Sequence, residues 1–247
     1  MTDLLYSDGL DVHYGRVQVL YDVSIAVQPG EMVALLGTNG AGKSTWLKAV
    51  SNLVTPSSGR VVFEGDDITG LPPDEIVARG LGHVPSGRGT LPDLTVEENL
   101  RLGGHLLRHD SAARRAATDA VYDLFGWMGA RRKQLAGTLS GGEQQMLAIG
   151  RALVNRPKLL MIDELSLGLA PVITEEIYDQ LRVLHSDGLT ILIVEQNATL
   201  AMEMVGRVLF MEKGRVQFSG RGSDLLRRKD LLRSVFLGAG RTRSARA

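Results

Sequence analysis

Met32-Val33-Ala34-Leu35-Leu36-Gly37-Thr38-Asn39-Gly40-Ala41-Gly42-Lys43-Ser44 is the stretch that decides how this chain folds. Met32 to Leu36 form a short, unbroken apolar run, as expected of a strand buried on both faces. Gly37 to Ser44 then fit the pattern Gly-x4-Gly-Lys-Ser/Thr in full, and Lys43 to Ser51 read as a helix. Strand, glycine-rich loop and helix in this order make a phosphate cradle. Gly37, Gly40 and Gly42 permit backbone conformations that other residues resist, so several N–H groups converge on phosphate oxygens. The helix turns its positive end to the same place. Lys43 reaches the phosphates, the Ser44 hydroxyl is placed for Mg²⁺, and Thr45 adds a second hydroxyl.

The bulk composition fits such a core. The 247 residues are 44% apolar and 23% charged, ordinary for a globular chain of one large or two small domains. The 28 basic and 28 acidic residues cancel, so no whole-chain attraction to nucleic acid is expected. There is no cysteine, which excludes a disulfide framework and thiolate metal sites. No apolar stretch approaches the roughly 20 residues of a membrane helix. The start, Met1 to Tyr6, lacks a basic region followed by a long apolar one. The expectation is a cytoplasmic chain that meets a membrane only through a partner. Gly238 to Ala247, with Arg241, Arg243 and Arg246, reads as a frayed tail.

Outward from the loop, Val12 to Tyr14, Val23 to Val27 and Gly59 to Gly65 read as strands. Thr95-Val96-Glu97-Glu98 has the form of a capping box, opening a mostly helical region that extends to about residue 154. Within it Ala113, Ala117, Val121, Leu124 and Phe125 recur at helical spacing as a core-facing stripe. Buried strands return at Leu159 to Ile162 and Thr190 to Val194, with a helix from about Val172 to His185 between them. Val208 to Glu212 and Arg215 to Ser219 read as a hairpin around Lys213-Gly214, and two short helices close the chain. Alternating strands and helices predict a parallel sheet. The fold class is α/β, with the helix-rich insert as a subdomain of its own.

Asp163-Glu164 ends an apolar run. Strand neighbours point opposite ways, so the two carboxylates can divide tasks: Asp163 for Mg²⁺, Glu164 as general base toward an attacking water. Ser140-Gly141-Gly142 precedes the apolar stripe Met146, Ile149, Gly150, Leu153, Val154. A serine N-cap before a helix N-terminus makes a second anion site, or simply a well-capped helix. One nucleotide does not need two phosphate sites from one chain, whereas two chains packed head to tail use both. The five histidines show no metal-ligand spacing; His105 and His109 read as a solvated pair.

Together with the phosphate loop, Leu139-Ser140-Gly141-Gly142-Glu143-Gln144-Gln145 and Asp163-Glu164 make the chain resemble the nucleotide-binding subunits of ABC transporters over nearly its whole length. The finer resemblance is to the hydrophobic amino-acid uptake group, and within it to LivF-like subunits. It rests on Pro92 to Leu100, Glu143 to Leu153, Ser166 to Pro171 and Val194-Glu195-Gln196-Asn197. The resemblance implies a P-loop NTPase with a RecA-like core (residues 1–87 and 156–237), an antiparallel β subdomain and an inserted helical subdomain (88–155). It implies ATP and Mg²⁺ as cofactors, with ATP held by Gly37, Asn39, Gly40, Gly42, Lys43, Ser44 and Thr45 and, from a partner, by Ser140, Gly141 and Gly142. Tyr14 is then the aromatic that stacks on adenine, although as a strand residue it could equally pack on a neighbour. The implied partners are a second ABC ATPase, most naturally in a heterodimer, permease subunits docked on the Ser86 to Asn99 region, and indirectly a solute-binding protein. That places the chain on the cytoplasmic face of the inner or plasma membrane.

The departures from the family pattern have consequences. Ser86 stands where the wider family has Gln, Gln196 where it has His, Ala170 where it has Asp, and Leu165 where Pro is common. Gln196 can hydrogen-bond a γ-phosphate oxygen but cannot carry a positive charge. ATP at this chain's own loop is therefore expected to turn over more slowly than at a partner's. Rival readings are the lipopolysaccharide-export type of ABC ATPase and a soluble ABC ATPase outside transport.

Overall fold

The computed structural model describes residues 3–87 and 89–228. The expected tail at 238–247 and the last of the two closing helices lie outside the described residues. The chain divides into two compact units, one built from residues up to Ile76 and from Thr190 onward, the other from Val77–Leu189.

In chain order the first unit begins with β1 (Leu5–Tyr14), β2 (Val17–Val27), β3 (Met32–Gly37), α1 (Lys43–Val50), β4 (Ser58–Phe63) and β5 (Asp66–Asp67). Then come α2 (Pro73–Ala78), β6 (Leu81–Val84), α3 (Val96–Gly103), α4 (Ser111–Leu124), α5 (Gly126–Ala130), α6 (Gly141–Leu153), β7 (Leu159–Asp163) and α7 (Pro171–Ser186). The first unit resumes with β8 (Thr190–Glu195), α8 (Ala198–Met204), β9 (Arg207–Glu212), β10 (Arg215–Gly220) and α9 (Gly222–Leu225).

The first unit carries an antiparallel sheet of order β2-β1-β4-β5. It also carries β3 paired in parallel with both β8 and β9, and β10 antiparallel on β9. β3 and β8 are buried along almost their whole length, as unbroken apolar runs require. The β9–β10 turn is two residues long, with Lys213 at φ 48° and Gly214 at φ 74°, the double positive φ that matches strand twist in a tight hairpin. The antiparallel sheet is anchored to α1 by Trp46. Its indole is fully buried, and Nε1 donates to Ser7 Oγ at 3.1 Å, which also accepts from Ile25 N at 3.0 Å. Burying such a ring is worth roughly 4–6 kcal/mol of gross transfer energy.

A second brace ties the turn after β2 to β9. Arg207 donates from Nε to Glu31 Oε1 at 2.6 Å and from a terminal nitrogen to Oε2 at 2.8 Å, and Gln28 N donates to the same Oε2 at 3.0 Å. Partial burial pushes the Glu31 carboxyl up, but these donors outweigh it and hold it below the ordinary 4.5. A carboxylate with a depressed folded value stabilises above its unfolded value and loses that contribution as pH falls through the folded one. Glu31→Gln is therefore expected to destabilise by about 1–2 kcal/mol at pH 7. The gap to the parent should close below pH 4.5, as urea unfolding at both pH values will show. An unchanged gap at low pH would contradict the assignment.

In the second unit β6 and β7 pair in parallel, Val84 opposite Ile162. The helix-rich stretch expected at 88–155 lies wholly inside this unit. Thr95 caps α3 with a full capping box to Glu98, as its sequence predicts. The stripe on α4 is only partly a core face: Ala117, Val121 and Phe125 are buried, while Ala113 and Leu124 are half-buried and Tyr122 joins the core instead.

Candidate functional site

In the first unit β3 ends at Gly37 and α1 begins at Lys43, so the Gly37–Gly42 loop opens at the carboxyl end of the parallel strands, where α/β sheets bind ligands. A Cβ at Gly37 would lie 2.3 Å from the Met211 carbonyl oxygen, so the loop is pressed onto β9 by a residue without a side chain. Gly42 takes φ 105°, and a Cβ there would meet Leu20 Cδ2 at 2.7 Å. The β9–β10 turn holds the loop from below: Gly214 N donates to Ala41 O at 2.9 Å, and Gly214 O accepts from Tyr21 N at 2.9 Å. These braces come from residues that no motif marks.

The N-cap of α1 is Gly42, which makes no side-chain cap, and its first turn has no acidic residue. The helix thus ends in main-chain donors with no competing carboxylate of its own. Lys43 is 5% exposed, and its ammonium donates to Gly37 O at 2.7 Å and Thr38 O at 3.1 Å. A buried cation beside an uncapped helix start is an anion site. Ser44 and Thr45 sit half-buried on the first turn, and Asn39 and Gly40 are exposed at the loop tip.

Two further expected residues belong to the same unit. Tyr14 ends β1 and is 46% exposed, opposite a still more open Val17, so about half of it is free to meet a ligand. Gln196 follows Glu195, which pairs with Leu36, so it comes one step beyond the strand where β3 delivers Gly37. Gln196 is half-buried, and its N donates to Glu195 Oε2 at 3.1 Å.

In the second unit Asp163 closes β7 and is 3% exposed. Glu164 is not its strand neighbour. It has left β7 with φ 52°, so the alternation argument does not set its direction; the left-handed turn does. That conformation costs a non-glycine residue about 1–3 kcal/mol, a strain typical of functional sites. Ser86 lies two residues past the end of β6, exposed, and by the β6–β7 register it emerges at the same strand edge as Asp163 and Glu164. Leu165 is buried at 1% exposure, packed into the unit rather than turning the chain as a proline would.

Ser140 is the N-cap of α6, and its Oγ accepts from Glu143 N at 3.3 Å. The Glu143 carboxylate returns to Ser140 N at 2.8 Å and takes Arg131 at 2.6 Å. Partial burial raises the Glu143 carboxyl, but the Ser140 donors and Arg131 win and hold it below its usual range. This helix start is thus already served by the chain's own carboxylate. Gly141 is half-buried, and a Cβ on Gly142 would strike Ile173 Cγ2 at 2.1 Å, so Gly142 is a packing position as well.

The Ser86 to Asn99 region is not surface to its end. Asn99 is fully buried and spends its amide on Leu91 N, Leu91 O, Leu94 O and Thr95 O at 2.9–3.2 Å, shaping the loop from within. The exposed part is nearer Leu91.

Ala170 is the N-cap of α7 and offers no side-chain cap; Pro171 follows at the first helical position. Ala170→Asp should add the missing cap and raise stability by about 1 kcal/mol. For a chain of this size that is about 2–4 °C in Tm, read by thermal unfolding. A drop in Tm would mean that the exposed N-cap is constrained by something other than capping.

Among the described residues no cluster of three or more His, Cys, Asp or Glu could hold a metal by itself, and no helix is long and apolar enough to cross a membrane.

The profile of a family described as "ABC transporter" matches residues 20–166. The high-affinity branched-chain amino acid transport ATP-binding protein BraG of Pseudomonas aeruginosa is 43% identical over 95% of this chain and 100% of its own length. A probable branched-chain amino acid transport ATP-binding protein, LivF of Archaeoglobus fulgidus, is 39% identical over 88% of this chain and 92% of its own. Among solved structures, an ATP-binding cassette of an ABC transporter in its ADP conformation matches with a TM-score of 0.84 at 26% identity, covering 96% of this chain and all of that one.

Proposed function

Because the chain belongs to the ABC transporter family as an ATP-binding cassette ATPase, we propose that it is the motor subunit of an importer for branched-chain or other amino acids or related small polar solutes. The single observation that carries this reading is the 43% identity to BraG across the whole of that protein.

ATP is the nucleotide, and the phosphate loop is where it binds. Lys43 and the open start of α1 hold the phosphates, and Tyr14 offers its exposed ring to the base, a contact worth about 1–3 kcal/mol. Ser44 and Asp163 are both hard oxygen donors, the kind Mg²⁺ takes when the nucleotide's phosphates and water complete its shell. Once bound, Mg²⁺ would neutralise charge that develops on the phosphates. Glu164 accepts the proton of the attacking water, Gln196 donates to a γ-phosphate oxygen, and Ser86 offers its hydroxyl near the edge where Glu164 emerges.

ABC ATPases of importers act as dimers with permease partners. For this chain we read residues 1–237 as one ATPase domain and expect a heterodimer with a related ATPase. Ser140, Gly141 and Gly142 would close the partner's nucleotide, and the permease would dock near Ser86 and Leu91 on the cytoplasmic face. Glu143 caps the α6 start and pairs with Arg131 at the same time, so Arg131 would offset the Glu143 charge as the signature meets phosphate.

The test is reconstitution of the chain with its co-purifying membrane partners and solute-binding protein in proteoliposomes. ATP-dependent leucine uptake supports the reading. ATPase activity without uptake of any amino acid or related small polar solute overturns the cargo class, and extraction of a lipid-linked glycan instead points to export.

A further inference from the structure

In the second unit α3, α4 and the turn around residue 132 line a hollow of about 420 Å³, none of whose arginines has been given a role above. Arg101, Arg114, Arg115 and Arg132 line it. None of the four makes an ion pair within 4.0 Å among the described residues. Two carboxylates, Glu97 and Asp119, also line it, so four guanidiniums against two carboxylates leave two positive charges.

A second observation is independent of charge. Tyr122 lines the same hollow, is 7% exposed, and its phenolic oxygen is buried without a hydrogen-bond partner in the protein. An orphaned buried hydroxyl costs about 1–3 kcal/mol, which a ligand oxygen accepting from it would recover. The Arg132 guanidinium stacks 4.3 Å over the Tyr122 ring, fixing its plane. Burial pushes the Tyr122 hydroxyl up, though Arg132 opposes this, so it stays a protonated donor near neutral pH. Ser111, Arg115 and Tyr122 recur along one face of α4, while Thr118 between them spends its hydroxyl on Arg114 O at 2.9 Å.

We propose that this hollow is an anion site for a phosphate monoester, with Arg101, Arg114, Arg115 and Arg132 pairing with the dianionic phosphate and Tyr122 Oη, buried beneath the lining, donating to one of its oxygens after a small shift on binding uncovers it. Guanidinium forks suit tetrahedral oxyanions better than point charges do. The volume exceeds that of inorganic phosphate, leaving room for a small organic body. The same phosphate chemistry could come from a soluble metabolite or from the headgroup of an anionic lipid.

The test uses the full chain with its phosphate loop saturated by ADP and Mg²⁺, so that the loop cannot take the probe. Glycerol 3-phosphate is titrated calorimetrically, and vesicles of phosphatidylcholine with and without phosphatidic acid are used in sedimentation. The variants are Arg101→Gln with Arg115→Gln, both exposed positions, and Tyr122→Phe, which removes only the orphaned oxygen. Binding should weaken about tenfold or more in the double variant and severalfold in Tyr122→Phe. ADP affinity should be unchanged, and thermal stability of Tyr122→Phe should not fall. Loss confined to the calorimetric arm assigns a soluble ligand, and loss confined to phosphatidic-acid vesicles assigns a lipid headgroup; either supports the site. Wild-type chain that binds neither probe, or binding that both variants keep, overturns it.

Discussion

Glu164→Gln is expected to lower single-turnover ATP hydrolysis at this chain's phosphate loop by about 10²–10⁴-fold while ATP affinity stays within about threefold. Glutamine matches the carboxylate in size and can still hydrogen-bond, but it cannot take a proton. The residue holds a left-handed turn, φ 52°, immediately after the buried end of β7. Strain of this kind persists only where the surroundings enforce it, and it aims the side chain away from the line of the strand. The substitution is close to isosteric, so it keeps that turn, and a changed rate then reports chemistry and not misfolding. Single-turnover measurement with enzyme in excess separates hydrolysis from nucleotide release. Hydrolysis within about fivefold of the parent would remove Glu164 from the role of base. In a reconstituted heterodimer the same change should cost less in this chain than in its partner, because Gln196 and Ser86 replace groups that the wider family carries. Equal losses would end the idea of unequal sites.

The fold's centre was legible because its signals are local. An apolar run running into Gly-x4-Gly-Lys-Ser leaves little choice but a buried strand, a turn and a helix, and β3, the loop and α1 follow it to within one residue at each end. The hairpin at Lys213-Gly214 and the capping box at Thr95 are equally local, and both stand as read. What escaped depends on contacts between distant residues. β1 runs from Leu5, well before Val12, but Ser7, Asp8 and Gly9 break its alternation; the register with β2 shifts just there. β6 is four residues long with Gly82 inside it, too short to show a period. Glu164 reads as one more strand position because φ has no signature in a non-glycine residue. Asn99 looks like a polar surface residue of α3, yet it is buried as the plug of its own loop. The bracing of the phosphate loop by Gly214 and Met211 joins residues some 170 positions apart, a pairing no motif spans.

Lys43→Met should weaken ATP binding to the purified chain by about 10–100-fold, the loss of one charge-assisted contact of roughly 1.5–3 kcal/mol. Methionine keeps the unbranched apolar stem that fills this 5% exposed position, so packing against the loop is largely retained. What disappears is the ammonium that now bridges Gly37 O and Thr38 O. Those two carbonyls belong to half-buried loop residues, and the Lys43 ammonium is what neutralises them. With Lys43 present they are neutralised and the cradle is net attractive to an anion. Without it the cradle loses its cation and keeps two unneutralised carbonyls, and the open N-terminus of α1 is left to attract phosphate alone. The loss should therefore be larger for ATP than for adenosine, which has no phosphate and in the proposed reading is held by Tyr14. It should also shrink at high ionic strength, where the parent's own affinity falls. Fluorescence titration with a labelled ATP analogue, repeated for adenosine by competition, reads both differences. An equal loss for adenosine and ATP would mean that the substitution has collapsed the loop, and an ATP affinity within threefold of the parent would mean that Lys43 only staples the loop and does not hold phosphate.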